Sequence, residues 1–233
     1  MPQAPVDLAQ RPLVFTHIPK TAGTTINVGL RQVFADAAVF HLQRLEKDEL
    51  RTLAADRGIQ AYAGHLPFCQ AAPAFAGSGR HPAFITVLRD PMERVLSAYS
   101  YAKGTPGERW HDLASRLDID AFIAHMKKRE PQFLVGKQCR FLCPKGQADA
   151  DSAFGSLKEN FALVGLQQDL GSFFHGIERL TGRQLPQPKR RNQSADRVQV
   201  ESLSADTLKT LGQTMAADLQ LYERTLAWLK ERG

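Results

Sequence analysis

The chain has 233 residues and a mass of 25.9 kDa, which fits one domain or one domain with a sizeable insertion. Its composition, 43% hydrophobic and 23% charged, is that of an ordinary globular protein and argues against a disordered or fibrous chain. Thirty Lys and Arg against 24 Asp and Glu leave a net charge of +6 and a pI near 9.4, a surplus that favours anionic ligands without naming one.

Residues 1–12 are rich in Pro and polar groups and read as a flexible tail, with a single domain expected over 13–233. The opening MPQAPVDLAQRP lacks the basic and apolar regions of a signal peptide, and no apolar run reaches the roughly 18 to 20 residues of a membrane span. The expected location is therefore the cytoplasm. Leu13 to Ile18 (LVFTHI) is a β-prone run, Pro19 to Thr25 (PKTAGTT) a turn of small residues, and Ile26 to Phe34 resumes with helical apolar spacing. A second strand over Ala38 to Leu42, a helix over Leu45 to Arg57 stopped by Gly58, and a third strand over Ile59 to Ala63 follow.

Ala83 to Leu88 (AFITVL) is the strongest strand signal, a continuous apolar run expected in the centre of a sheet covered on both faces. Asp90 as N-cap, Pro91 at the first helical position and Glu93 completing a capping box start a helix that runs to about Lys103. Residues 104–156 are interrupted by Gly, Pro and charge and read as an insertion over the edge or mouth of the sheet, with a short helix over Ile119 to Met126. Phe161 to Leu166 reads as a strand, Leu170 to Leu180 as an amphipathic helix ended by Gly182, and Ser204 to Lys230 as one long helix. This alternation predicts an α/β fold with a central parallel sheet flanked by helices in three layers, binding its ligand at the carboxyl ends of the strands.

Several functional classes lose ground. Nucleic-acid binding is not expected, because the chain has no zinc-finger spacing, no aromatic RNA-binding signature and only short basic runs such as Lys127-Lys128-Arg129. Three cysteines are too few for a disulfide framework. Cys139 and Cys143 read as packing residues, with a disulfide as the rival. His65 and Cys69, four apart, are separated by Pro67 and lack further ligands, so no metal site is expected.

The loop Pro19-Lys20-Thr21-Ala22-Gly23-Thr24-Thr25 carries the chemistry. A tight strand-to-helix turn aims backbone N–H groups at one point, Lys20 adds a charge, Gly23 admits close backbone approach, and three Thr offer hydroxyls. The rival reading is an ordinary helix start capped by Thr. The glycine of G-x-x-x-x-G-K-[ST] is missing upstream of Lys20, and Asp90 is better explained as a cap than as a magnesium ligand. A nucleotide phosphotransferase or kinase thus remains only as an alternative. His65, just past the third strand, is either a base or a structural histidine. Arg94, one turn before Ser97, either faces the anion or is structural.

Together, FTHIPKTAGTT and ITVLRDPMERVLSAYSY resemble the two donor-binding motifs of the sulfotransferases that use 3′-phosphoadenosine 5′-phosphosulfate, particularly the carbohydrate 2-O-sulfotransferase-like branch. The resemblance implies a P-loop-like fold, with Lys20, Thr21, Ala22, Gly23, Thr24 and Thr25 around the 5′-phosphosulfate and Arg89 and Ser97 on the 3′-phosphate. It implies His65 and Lys20 as catalytic groups. A second histidine that those relatives carry before the glycine is Ala63 here, which weakens the match to that acceptor. The late segment Lys189 to Ser194 resembles the family's Asn-x-Ser/Thr stretch, so that Arg191, Asn192 and Ser194 are candidate phosphate contacts, or else an exposed basic loop. The implied product is adenosine 3′,5′-bisphosphate, and no metal is required. The implied acceptor is a hydroxyl on a carbohydrate or glycolipid, faced by the insertion's Lys127, Lys128, Arg129, Lys137 and Arg140. A lipid-linked glycan would place the chain peripherally at a membrane. A homodimer is open, with no surface assigned, and the non-enzyme alternative is a polyanion- or glycan-binding protein on this scaffold.

Overall fold

The computed structural model describes residues 5–187 and 198–232. Among them, β1 (Leu13–Thr16), β2 (Ala38–Phe40), β3 (Ala61–Gly64), β4 (Ala83–Leu88) and β5 (Phe161–Leu166) form one all-parallel sheet in the order β2-β3-β1-β4-β5. The AFITVL run is buried along its whole length, as expected, but it lies one strand off centre and β1 takes the middle.

The strands alternate between two cores. Val14, Tyr62, Phe84 and Leu88 point to one face, while Leu13, Phe15, Ala61, Ala63, Ile85 and Val87 point to the other. This two-residue period is the pleat acting on runs that are apolar on both sides. The first face is covered by α2 (Lys47–Ala55), α3 (Phe68–Phe75), α7 (Lys137–Leu142), α8 (Ala150–Asn160) and α11 (Ala216–Lys230). The second is covered by α1 (Gly23–Phe34) and α9 (Leu170–Thr181), through Ile26, Leu30, Phe34, Phe173, Phe174 and Ile177. The result is the three-layer α/β fold of P-loop-like type.

A third cluster joins α4 (Pro91–Gly104) to α5 (His111–Arg116), α6 (Ile119–Arg129) and α10 (Ala205–Thr214). Residues 104–156 are therefore more ordered than their Gly and Pro content suggests. Those breakers sit in the connections, at Gly104, Pro106, Gly107, Pro131, Gly136, Pro144 and Gly146, while Phe122, Ile123, Met126, Leu142 and Leu157 bury the helices between them. The long C-terminal helix is interrupted once, at Met215, whose buried side chain joins the third cluster.

Asp90 caps α4 as expected, its carboxylate accepting from the Glu93 N–H at 2.9 Å. Gly182 ends α9 in the left-handed conformation. At the amino ends of the strands a buried Arg80 donates to the carbonyls of Leu8, Ala9, Ala54, Asp56 and Ile59 and to the Tyr62 hydroxyl, tying the loops beneath the sheet together. Cys69, Cys139 and Cys143 are free thiols, so the disulfide between Cys139 and Cys143 is not formed, and Cys139 and Cys143 pack into the first core. No helix among the described residues is long and apolar enough to cross a membrane.

Candidate active site

All five strands point the same way, so the loops after β1, β3, β4 and β5 meet at one edge. A cleft of about 1070 Å³ opens there. Its walls carry His17 to Thr25 except Ile18 and Thr21, His65, Arg89, Ser97 and Gln167 to Gly171, and its far side is built by Gly104 to Trp110 with Glu130 to Lys137. The connections that leave the adjacent strands β1 and β3 run in opposite directions across the sheet, to β2 and to β4. Such a crossing leaves a crevice at the strand ends.

The loop after β1 is a concave backbone cradle. Lys20 and Ala22 adopt left-handed φ values of 71° and 70° on either side of Thr21. Non-glycine residues held there cost of order 1–3 kcal/mol each and persist only where the surroundings impose them, and this alternation turns successive N–H groups towards one point. No side chain caps α1, and among the described residues the N–H groups of Gly23 and Thr24 have no acceptor. An anion would satisfy both and meet the positive end of the helix. Thr24 and Thr25 line the cleft, whereas Thr21 is fully buried and donates its hydroxyl to the Ile18 carbonyl at 2.9 Å, which holds the turn closed.

The register of the sheet brings two histidines together. Thr16 pairs with Gly64, and the His17 N–H donates to the Gly64 carbonyl at 3.0 Å, so His17 and His65 follow as neighbours on the same face. Their ring centroids are 4.1 Å apart, and His17 also stacks on Phe15 at 5.3 Å and 12°. His65 Nδ1 lies 2.9 Å from the His17 carbonyl, and the His65 N–H donates to Gln43 Oε1 at 2.9 Å. A carbonyl only accepts, so Nδ1 carries the proton and Nε2 keeps the lone pair.

Burial holds the His65 pKa below the ordinary 6.5. The His17 carbonyl opposes this, and Lys137, Lys20 and His41 add to it. Burial, His65 and Lys20 hold His17 well below 6.5. Two imidazolium charges at this separation would repel by about 4 kcal/mol at an effective dielectric of 20, so the pair does not hold two charges at once, and with both pKa values held below 6.5 the neutral forms prevail at pH 7.

Around this pair stand the cations. Burial pushes Lys20 down to about 8, with Glu108 opposing and Arg89 adding, and its ammonium rests 3.1 Å from the centroid of the Tyr101 ring. Arg89, at the end of β4, is buried and donates from Nη1 to the Lys20 carbonyl at 3.2 Å and from Nη2 to Glu93 Oε2 at 3.3 Å. Its backbone is clamped on both sides by Gln138, which accepts from the Arg89 N–H at 3.0 Å and donates to its carbonyl at 2.8 Å. The buried Asp218 carboxylate in turn accepts from the N–H groups of Gln138 and Cys139. Arg94 is fully buried, donating to the Phe133 carbonyl at 2.9 Å, and burial followed by Arg94 and Arg140 lowers the Lys137 pKa.

The structure thus gathers Lys20, Ala22, Gly23, Thr24, Thr25, His65, Arg89 and Ser97 on one cleft. Thr21 is turned away from it. Of the five insertion cations expected to face an acceptor only Lys137 lines the cleft, where Arg109 joins it; Lys127, Lys128, Arg129 and Arg140 are exposed outside it. Arg191, Asn192 and Ser194 lie outside the described residues.

His17 is the residue that sequence reasoning missed, because it sits within the β-prone run LVFTHI. Its ring also explains Gly23: a Cβ there would lie 1.7 Å from His17 Nε2. The glycine makes room for an imidazole as well as for an approaching ligand.

No protein-family model matches the sequence, and no curated protein matches it. Among solved structures, the chain is similar in fold to mouse sulfotransferase SULT7A1 complexed with PAP, at 11% identity and a TM-score of 0.46. The match covers 91% of this chain and spans 64% of the length of that one.

Proposed function

We propose that the protein transfers a sulfuryl group from 3′-phosphoadenosine 5′-phosphosulfate to an acceptor hydroxyl. The observation that carries this reading is a neutral histidine whose lone-pair Nε2 belongs to the same cleft as an uncapped helix N-terminus and a lysine. A base beside an anion cradle suits group transfer from a phosphate-bearing donor to a hydroxyl. The cleft volume also suits a nucleotide with room for an acceptor.

In the proposed reaction His65 Nε2 takes the acceptor's hydroxyl proton as its oxygen forms a bond to sulfur. The bond from sulfur to the 5′-phosphate oxygen breaks, and its electron pair leaves with adenosine 3′,5′-bisphosphate. Lys20, the Gly23 and Thr24 N–H groups and the Thr24 and Thr25 hydroxyls hold the growing negative charge on that oxygen. Arg89 and Ser97 hold the 3′-phosphate, with the guanidinium fixed by Glu93 and by the Gln138 clamp on its backbone. The resemblance of the two motifs to carbohydrate sulfotransferases makes a glycan hydroxyl, free or lipid-linked, the proposed acceptor.

Isothermal titration with adenosine 3′,5′-bisphosphate, followed by labelled-sulfuryl transfer to mixed glycan and glycolipid acceptors, tests the reading. Tight binding of the bisphosphate, weaker binding of adenosine 5′-phosphate, and transfer that falls about 100- to 10,000-fold in His65→Gln with donor affinity retained are expected. Preference for magnesium-ATP would favour the phosphotransferase, and bisphosphate binding without transfer to any acceptor would favour the non-catalytic binder. Full turnover in His65→Gln would remove the base.

A further inference from the structure

Among the described residues, the ring of the base assigned above has one hydrogen-bond anchor, and that anchor is main chain. A single contact to a carbonyl leaves an imidazole able to tilt about the bond. What stops it is the second imidazole: the His17 ring lies 4.1 Å from that of His65 at 34°, and is itself backed by Phe15 in a near-parallel stack, with Phe173 6.5 Å behind Phe15. The column Phe173, Phe15, His17, His65 thus runs from the second core out to the cleft. Gly23 closes the remaining side, since its Cα surface meets three atoms of the His17 ring.

We infer that His17 is a positioning residue for His65, its carbonyl fixing which nitrogen of the base carries the proton and its ring forming the wall that holds the base in orientation. This rests on the reading of His65 as base, although the placement itself does not. The same wall removes water from one face of His65, consistent with the lowered pKa of that ring, for which burial is the largest cause. The titratable groups that face His65 are His17 and Lys20 from the β1 loop, His41 from the loop after β2, and Lys137 from the start of α7. Lys137, Lys20 and His41 disfavour a positive charge on His65, whereas the His17 carbonyl favours it. His17 is the only one of these that touches the ring face, and neither of its own ring nitrogens has a hydrogen-bond partner among the described residues.

The test uses the full chain with ring-labelled histidine, following the tautomer and titration of His65 by NMR in the wild type, His17→Ala and His17→Phe, alongside turnover. The wild type should show the Nδ1–H tautomer and a midpoint below 6.5. His17→Ala keeps the main-chain carbonyl and with it the tautomer, but should move the midpoint up towards 6.5 and lower kcat by about 10- to 100-fold with little change in the KM for the donor. His17→Phe, which restores a flat wall, should keep the tautomer and the low midpoint and lose less turnover than His17→Ala. A wild-type midpoint and wild-type turnover in His17→Ala would overturn the inference. So would equal turnover losses in both variants, because the ring nitrogens rather than the wall would then matter. If the midpoint shifts as expected while the wild type transfers no sulfuryl group to any acceptor, the functional reading fails and the placement stands.

Discussion

Gly23→Ala isolates the geometry on which the cradle depends. An ideal Cβ at residue 23 would stand 1.7, 1.9 and 2.2 Å from Nε2, Cε1 and Cδ2 of His17, where ordinary contact begins at 3.4 Å. The imidazole must therefore retreat by about 1.7 Å, the difference between 3.4 and 1.7, and both of its faces are blocked, by Phe15 and by His65. Overpacking of this kind costs about 1–3 kcal/mol. Gly23 is helical, with no left-handed φ, so the methyl group brings no backbone penalty of its own and even favours the helix by up to about 1 kcal/mol.

The clash alone makes Gly23→Ala destabilising, and His17→Ala should relieve it. In urea unfolding, the double variant His17→Ala/Gly23→Ala should be more stable than the sum of the two single effects predicts, by a coupling of about 1–3 kcal/mol. Titration with adenosine 3′,5′-bisphosphate should show affinity lost in Gly23→Ala and partly recovered in the double variant. Strict additivity of the two changes would mean that the ring does not lie over residue 23, and the account of the cradle would fail with it.

Other parts of the site answer to separate measurements. Gln138→Ala removes both partners of the Arg89 peptide at about 0.5–1.5 kcal/mol per bond. It should weaken the bisphosphate far more than adenosine 5′-phosphate, and equal losses for both would detach Arg89 from the 3′-phosphate. Lys20 gives donor binding a pH limb: its pKa is about 8 in the protein alone and rises with an anion beside it, so binding takes up a proton and affinity falls as pH climbs past 8. Titration in buffers of differing ionisation enthalpy would expose that uptake; none at pH 9 would contradict it. For folding, the unfolded chain holds the Lys20 proton to about 10.5 while the folded one releases it near 8, so this group makes stability rise with pH between those values. Arg80→Met leaves five carbonyls beneath the sheet short of a donor, three of them in buried bonds, and should cost at least about 3 kcal/mol in urea unfolding; a loss below about 1 kcal/mol would show that water replaces the guanidinium.

Local chemistry was legible in the sequence wherever the cause was local. The turn of β1 into α1, the Asp90 cap and the left-handed Gly182 depend on residues a few positions apart, and all three were placed correctly. The position of His65 just past β3 could be read in the same way. His17 could not be recognised, because its role depends on Thr16 pairing with Gly64, a register between segments 48 residues apart that neither segment encodes by itself. The support of Arg89 is still less local: Gln138 and Asp218 reach it from α7 and α11. The inward hydroxyl of Thr21 was hidden by the likeness of three threonines in one loop. In the insertion, the visible signal was the breakers between helices rather than the short apolar stripes of the helices themselves.

The cleft's electrostatics also show that the site is built at a cost. Arg94 donates to a carbonyl rather than to a carboxylate, Lys20 rests on an aromatic ring, and Lys137 is disfavoured by burial and by the arginines near it. Burial disfavours the charged form of all three in the folded chain, and the Phe133 carbonyl and the Tyr101 ring offset this for Arg94 and Lys20. An anion with several charges would reverse all three penalties at once. Positive charge concentrated at the carboxyl ends of the strands, around an imidazole kept neutral, therefore opposes folding and favours a polyanionic ligand beside a base. That opposition accounts for placing these cations here rather than on the solvated faces where Lys127, Lys128 and Arg129 lie.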